Sequence, residues 1–178
     1  FYNNWDFNAL GTIYRRMTGD DIFQAFKAKI ADPIGMEHFR VDRCFYQTEP
    51  VSQHPAYHFR MSGRDLARFG LLYLNRGRDD GRQIIPSQWI ADSTRSYSNA
   101  QPGVGYGYMW WVALDGWHFG VRVGPGTYSA RGVGGNFLVV APSRDLVISH
   151  RVDWERTRAE INNQQFGAIL RLILEAMP

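Results

Sequence analysis

The spacing of apolar residues changes near residue 105, and this change restricts the chain to folds that keep helices and strands in separate segments. Before that point, apolar residues recur every three or four positions, as on one face of a helix. From about residue 105, glycines, aromatic residues and valines dominate until about residue 155. Helices followed by strands and a closing helix predict an α+β fold with an antiparallel sheet. We therefore expect a helical region at 1–104 and, in the same domain, a sheet with a C-terminal helix at 105–178.

Helix signals divide the first region into four segments. The predicted helices cover about 5–17, from Asp20 or Asp21 to Asp32, about 66–75, and a short stretch from about Pro86. Gly19 ends the first helix, and Pro33 prevents the second from continuing. Ser62 and Asp65 form a Ser-x-x-Asp capping box before the third. Residues 40–60 show no sustained period and contain two prolines, so we expect a long surface loop there.

Two hairpins are predicted in the second region. Asp115-Gly116 favours a two-residue turn with positive φ between strands at 106–114 and 117–123. The second hairpin has its strands at 137–141 and 146–152. A final helix, from about 155 to 176, carries an apolar stripe that suits packing on one face of the sheet.

Composition argues against several classes of function. The net charge of +3 is spread without a run of lysine or arginine, so nucleic acid is not an expected partner. No apolar stretch approaches the roughly 20 residues that a membrane-spanning helix needs. Cys44 is the single cysteine, which excludes an internal disulfide and a cysteine-based metal cluster. His54 and His58 are four residues apart, but Pro55 opposes a helix between them, so we expect neither a metal site nor another cofactor.

Two short segments allow both a structural and a functional interpretation. The glycine-rich run at 131–135 is either a β-bulge or a strand whose N–H groups face a substrate, as an oxyanion hole requires. In Tyr2-Asn3-Asn4, one asparagine is either the cap of the first helix or part of a catalytic group. Neither segment decides between its two interpretations alone.

Several segments, in a fixed order along the chain, carry a family resemblance. They are Tyr2-Asn3-Asn4 with Leu10-Gly11, Met17-Thr18-Gly19, the run from Asp32 to Met36, the run from Met61 to Gly70, the run from Tyr106 to Trp111, and the run from Ala130 to Gly135. Together they resemble landmarks of the serine β-lactamase and penicillin-binding-protein superfamily, in particular its class C-like hydrolases and esterases. The resemblance covers nearly the whole chain.

The resemblance implies both a fold and a mechanism. The fold would be a helical subdomain beside an antiparallel sheet backed by helices, and the reaction would be acyl transfer through a serine acyl-enzyme. By the same resemblance, Tyr2 would be the proton relay or base, and Asn4 would orient a lysine and bind the acyl side of the substrate. The backbone N–H of Val133, after Gly132, would be half of the oxyanion hole. A periplasmic or extracellular location is also implied, while a cytoplasmic one stays open.

One departure from the family pattern concerns the nucleophile. No serine has a lysine three positions later, and the residues at that spacing before Lys27 and Lys29 are Gln24 and Phe26. We therefore expect the chain to be the C-terminal portion of a longer protein whose N-terminal segment supplies the nucleophile, and to be inactive alone. The alternatives are a pseudoenzyme of the same fold and a non-catalytic module that holds a peptide or glycan on the aromatic residues of 106–117.

A second departure concerns the substrate. Ala130 and Arg131 precede Gly132 where the family often has lysine or histidine followed by threonine or serine. Loss of the lysine favours a small ester, amide or peptide-like substrate over a β-lactam. Arg131 can replace the missing cation, since arginine binds carboxylates with two parallel hydrogen bonds. The expected substrate-binding residues are therefore Arg131, Gly132 and Val133.

Overall fold

The chain forms two units that divide between Asp65 and Leu66 in the computed structural model, which describes residues 2–177. The helices are α1 (Asn4–Thr18), α2 (Ile22–Phe26), α3 (Gly63–Leu74), α4 (Ser87–Ser93), α5 (Trp154–Thr157) and α6 (Asn163–Glu175). The strands are β1 (Phe45–Glu49), β2 (Ser52–His58), β3 (Arg78–Asp79), β4 (Arg82–Gln83), β5 (Ser98–Gln101), β6 (Val104–Tyr106), β7 (Trp111–Ala113), β8 (Trp117–His118), β9 (Val121–Arg122), β10 (Tyr128–Gly132), β11 (Asn136–Ala141) and β12 (Leu146–His150). This order is the predicted α+β arrangement.

Local signals set both ends of α1. Asn3 caps its start, because the Asn3 Oδ1 accepts a hydrogen bond from the Asp6 N–H at 3.1 Å. Gly19 ends the helix in the left-handed conformation, with φ 74°. Gly11 is buried where α1 meets β2, and a Cβ at position 11 would overlap the ring of Tyr57. The predicted helix and its glycine stop are confirmed.

Asp21, not Asp20, caps α2. Its Oδ1 accepts hydrogen bonds from two backbone N–H groups of the first turn, each at 3.0 Å. After α2, the chain continues as a π-helical turn at Lys27–Ala31. Phe23 is the buried residue of α2, and its ring packs edge-on against Phe59 at 5.0 Å between centroids. The second predicted helix is therefore confirmed, with a wider turn in its second half.

Residues 40–60 contain a β-hairpin, so the predicted surface loop is wrong. β1 and β2 pair antiparallel, with Tyr46 opposite Tyr57. The side chains of both strands are exposed or half-buried, so a strict alternation of buried apolar residues does not mark them in the sequence. Pro55 fits inside β2 because a two-stranded ribbon leaves one edge of each strand unpaired.

The start of α3 is confirmed, but its capping box is only half formed. The Ser62 Oγ accepts a hydrogen bond from the Asp65 N–H at 3.0 Å. The buried Asp65 carboxylate accepts instead from the backbone N–H groups of Glu37 at 3.0 Å and His38 at 3.2 Å. Asp65 thus anchors the loop that follows Met36 to the start of α3.

The main sheet belongs to the second unit and is antiparallel, with strand order β12-β11-β10-β7-β6-β5. Its two faces carry different hydrophobic clusters, so that Val139 of β11 belongs to one cluster and Leu138 to the other. α6 covers the first face through Phe166, whose side chain is fully buried. α3 and α4 cover the opposite face through Tyr73 and Ile90. The face under α6 is called the α6 face below.

The two-residue turn lies at Phe119-Gly120, so the hairpin predicted at Asp115-Gly116 is wrong. Phe119 and Gly120 have φ values of 53° and 71° and join β8 to β9. Gly116 also has a positive φ, 82°, but β7 pairs with β6 and β10 instead of β8. The second predicted hairpin is confirmed, since β11 and β12 pair along their whole length.

The closing helix is shorter than predicted. α5 ends at Thr157, because Arg158 follows it in the left-handed conformation with φ 56°, and α6 begins after Asn162. Asn162 and Gln165 form a complete capping box, and this signal places the true start of the helix. Ile161 extends the apolar stripe and packs against the same cluster without being helical, which explains why the period alone overruns.

The main sheet begins with β5 at Ser98, before the change in composition near residue 105. The division into regions 1–104 and 105–178 therefore stays a prediction from composition. Among residues 2–177, no helix is both long enough and apolar enough to cross a bilayer.

Candidate active-site residues

Tyr2 and Asn4 lie at the start of α1, and the capping role there belongs to Asn3. Besides its bond to the Asp6 N–H, Asn3 donates from Nδ2 to the Asp6 carboxylate at 2.8 Å. Asn4 is the first helical residue and is exposed. Tyr2 is half exposed, and its ring packs edge-on against Phe7 at 5.3 Å. The helix cap therefore requires neither the Tyr2 hydroxyl nor the Asn4 amide.

The glycine-rich run divides into a structural part and an accessible part. Gly134 and Gly135 are buried, have φ values of 75° and 90°, and leave no room for a side chain against Trp154 and Ile161. Gly132 has an ordinary extended φ of −116° and is exposed, so neither conformation nor internal crowding explains it.

Val133 follows Gly132 at the start of a 3-10 turn and is 69% exposed. A glycine that the fold itself does not require is typical of a place where a ligand approaches the backbone. This part of the run fits the functional interpretation.

Arg131 points toward the α6 face of the sheet. Its guanidinium lies between two aromatic rings, 4.6 Å from the centroid of Trp111 and 4.4 Å from that of Phe119. The Arg131 Nε donates to the Ser129 Oγ at 3.2 Å. Burial lowers the pKa of Arg131 to about 10, so the side chain still carries its charge at neutral pH.

His118 and Ser129 form a buried pair beside Arg131. The His118 Nε2 lies 2.7 Å from the Ser129 Oγ and 3.4 Å from the Arg131 Nη2. Burial, together with the positive charge of Arg131, lowers the pKa of His118 to about 3, so its imidazole is neutral. A base beside a hydroxyl is the geometry of a nucleophile, but His118 is 1% exposed and Ser129 is fully buried. No substrate reaches this pair as it stands, and its role is structural.

The sequence predicts only part of the buried contact among His118, Ser129 and Arg131. Ser129 and Arg131 share a strand face because they are two residues apart on β10, and this much follows from alternation. His118 lies on β8, which pairs with β9 in a separate two-stranded sheet, so alternation along β10 does not predict its contact with Ser129.

The two histidines with metal-like spacing have other contacts. His54 lies in β2, and its Nδ1 is 3.2 Å from the Thr12 Oγ1. The His58 ring stacks on Phe45 at 4.7 Å. Within residues 2–177, no three or more His, Cys, Asp or Glu side chains are grouped so that they could hold a metal ion.

The predicted site residues thus fall into two sets. Tyr2 and Asn4 are in the first unit, at one end of α1. Arg131, Gly132 and Val133 are consecutive in the second unit, where β10 ends. Within this second set, the Arg131 side chain turns to the α6 face while Gly132 and Val133 are exposed at the strand end.

A family model described as beta-lactamase matches residues 1–159. The chain belongs to the beta-lactamase family. Among curated protein sequences, no match was found. The beta-lactamase model thus covers every residue that the sequence assigns to a site.

Two solved structures show the same fold at greater length. One, described as a 6-aminohexanoate-dimer hydrolase from Bacillus anthracis, is 26% identical with a TM-score of 0.72, and the match covers 100% of this chain and 45% of that one. The other, a beta-lactamase from Mycobacterium bovis, is 20% identical with a TM-score of 0.70, and the match covers 98% of this chain and 63% of that one. The chain therefore spans less than two thirds of either structure, and its fold is that of beta-lactamase-family hydrolases.

Proposed function

We propose that this chain is part of a serine hydrolase that cleaves an ester or amide through an acyl-enzyme. The observation that carries the proposal is that Tyr2 and Asn4 are exposed at the start of a helix in a beta-lactamase-family fold. Asn3, which lies between them, caps that helix. Exposed polar side chains at this place are accessible to a substrate.

The proposed roles follow the chemistry of acyl transfer. The Tyr2 hydroxyl relays a proton between the nucleophile and the leaving group, and the Asn4 amide orients a lysine and the acyl part of the substrate. The backbone N–H of Val133 stabilises the oxyanion, which the exposed Gly132 allows to approach closely. Arg131 is the proposed cation for a substrate carboxylate.

The nucleophile is proposed to lie on another segment of a longer protein. The sequence has no serine followed three residues later by lysine, and the chain matches only 45% of one solved relative. The name of that relative gives a 6-aminohexanoate dimer as its substrate, which supports an amide as one candidate here. Alone, the chain is expected to form no acyl-enzyme.

The proposal is tested by comparing this chain with a version extended upstream in its reading frame. Only the longer protein, with a Ser-x-x-Lys motif, should form a covalent adduct with a fluorophosphonate probe. In that protein, Tyr2→Phe should lower the hydrolysis rate of p-nitrophenyl butyrate by about 100-fold or more, because a positioned proton relay contributes this much. Tyr14→Phe, in the middle of α1, should change the rate less than twofold.

Two results would contradict the assignment. The first is a stoichiometric adduct on any serine of the isolated chain. The second is a Tyr2→Phe enzyme that keeps its full hydrolysis rate.

A second candidate function is supported by an aromatic surface in the second unit. Tyr97 and Tyr108 stack at 4.9 Å with 5° between their planes, and Trp89 lies 5.5 Å from Tyr108. All three rings are about half exposed, as they are in surfaces that hold sugar rings or peptides. Titration with a linear N-acetylglucosamine tetramer tests this alternative. Saturable binding that is lost in Trp89→Ala, in a protein whose full sequence has no Ser-x-x-Lys, would favour the binding module.

A further inference from the structure

A cleft of about 640 Å³ opens beside Arg131 in the second unit. Its walls are the loop after β5, the β8–β9 hairpin and the first turn of α6. The residues used below are Asp115, Trp117, Phe119, Arg131, Asn163 and Gln164. We call this space the Arg131 cleft.

Arg131 brings unused hydrogen-bond donors to this cleft. A guanidinium has five N–H groups. One is donated to the Ser129 Oγ, and one points toward the His118 Nε2. For the other three, residues 2–177 provide no acceptor within hydrogen-bond distance. These donors are available to a ligand.

Arg131 also has no counter-ion in the part of the chain that is described. Among residues 2–177, no carboxylate lies within 4.0 Å of its guanidinium nitrogens. A partly buried charge is costly unless an opposite charge or strong acceptors compensate for it. The two flanking rings supply only a weaker attraction to a cation. An anionic group bound in the cleft would supply the counter-ion that Arg131 lacks among these residues.

The other walls favour an anion with an apolar body. Asn163 and Gln164 are the first residues of α6, a helix of 13 residues whose first-turn N–H groups point out of the helix. Trp117 and Phe119 supply apolar surface on the hairpin side. The exposed carboxylate of Asp115 also lines the cleft and repels a ligand of high negative charge.

We propose that the Arg131 cleft binds the carboxylate of a small organic acid with a single negative charge and an apolar chain. The carboxylate accepts two parallel hydrogen bonds from Arg131, and the apolar chain lies against Trp117. This inference deepens the proposed role of Arg131 as a binding residue. It does not depend on the acyl-enzyme chemistry, because binding is measured at equilibrium without turnover.

The test is a titration of the isotope-labelled chain with hexanoate at neutral pH and constant ionic strength, followed by the NMR signals of the Arg131 Nε–H and the Asn163 and Gln164 amides. These signals should shift in a saturable way. Hexanamide, which has the same apolar chain without the charge, should bind at least tenfold more weakly, because a charged hydrogen bond is lost. Inorganic phosphate should bind more weakly than hexanoate, since Asp115 faces the same space.

Two variants link binding to the side chain. Arg131→Met keeps the stacked stem and should weaken hexanoate binding at least tenfold. Arg171→Met, an exposed position on α6 that does not line the cleft, should leave binding unchanged. If Arg131→Met unfolds, Arg131→Lys replaces it and should still bind several-fold more weakly, because it lacks the fork of donors.

Three outcomes would overturn the inference. They are hexanamide binding as tightly as hexanoate, phosphate binding as tightly as hexanoate, and equal losses in Arg171→Met and Arg131→Met. Shifts that grow linearly without saturation would also overturn it. None of these outcomes affects the hydrolysis test of Tyr2→Phe. A negative result for binding in the cleft can therefore be distinguished from a negative result for the proposed hydrolase.

Discussion

At the scale of single residues, His118 shows how a buried side chain can resemble a catalytic base while no substrate can reach it. Its imidazole is fully enclosed, hydrogen-bonded to Ser129 and close to the charge of Arg131. Burial and the positive charge of Arg131 both disfavour a second proton on the ring and lower the pKa of His118. The consequence is a strong link between pH and stability that an exposed histidine would not produce.

The first prediction at this scale concerns acid. The pKa of His118 falls from 6.5 to about 3 on folding, so between these values the unfolded chain binds more protons than the folded chain. Stability contributed by the neutral ring is complete above pH 6.5 and is lost as the pH falls toward 3. The loss is on the order of 5 kcal/mol across this range. Urea unfolding at a series of pH values measures it.

Variants separate this histidine from the others. His118→Gln should flatten the acid side of the stability profile, because the group that titrates is gone. His58→Gln, at an exposed position in β2, should keep the slope. A profile that stays equally steep in His118→Gln would assign the acid sensitivity to carboxylates.

At the scale of elements, the sequence predicts helix ends better than strand partners. Asn3, Gly19 and Asp21 act on the backbone within four residues of themselves, so their positions suffice to place α1 and α2. The turn at Phe119 and the hairpin of β1 with β2 depend on which strands pair with each other. No short sequence signal predicts this pairing.

The candidate site divides in the same way. The order of short motifs along the chain singles out Tyr2, Asn4 and Val133. The buried set of His118, Ser129 and Arg131 joins residues 11 and 13 positions apart and is visible only in the folded chain.

A prediction at the scale of elements concerns the turn after β10. Gly135→Ala forces a side chain against the carbonyl of Ile161 at a φ of 90°, so it combines backbone strain with overpacking. We expect a loss of about 3 kcal/mol in the free energy of unfolding. Gly126→Ala, at a φ of 74° with open space around it, should cost only about 1 kcal/mol. Equal losses in chemical denaturation would show that crowding by the 154–161 segment is unimportant.

At the scale of the whole molecule, the chain exposes surface that stable monomers usually cover. Leu10, Ile13 and Met17 share one face of α1 and are 50%, 50% and 81% exposed. In the second unit, β12 ends the sheet and pairs, within residues 2–177, only with β11. An apolar stripe and an open sheet edge both favour association.

We therefore predict that the isolated chain binds an apolar dye and self-associates as its concentration rises. The double variant Ile13→Gln with Met17→Gln should lower dye binding severalfold, because it removes the apolar face while keeping helix propensity. Val51→Gln is the control, since Val51 is 96% exposed at the tip of the β1–β2 hairpin. A dye-negative monomer by analytical ultracentrifugation would contradict the prediction.

The contacts of Ser129 with Arg131 and His118 also determine where the hydrogens of this buried cluster lie. A hydroxyl carries one hydrogen, and Ser129 already accepts from the Arg131 Nε–H. The Arg131 Nη2 can only donate, and it lies 3.4 Å from the Nε2 of neutral His118, so this contact favours Nε2 as an acceptor and assigns the imidazole proton to Nδ1. The Ser129 hydrogen is then directed to the same Nε2. A permanent cation thus sets the direction of a chain of hydrogen bonds and selects one tautomer of a ring that, in water, would exchange between two.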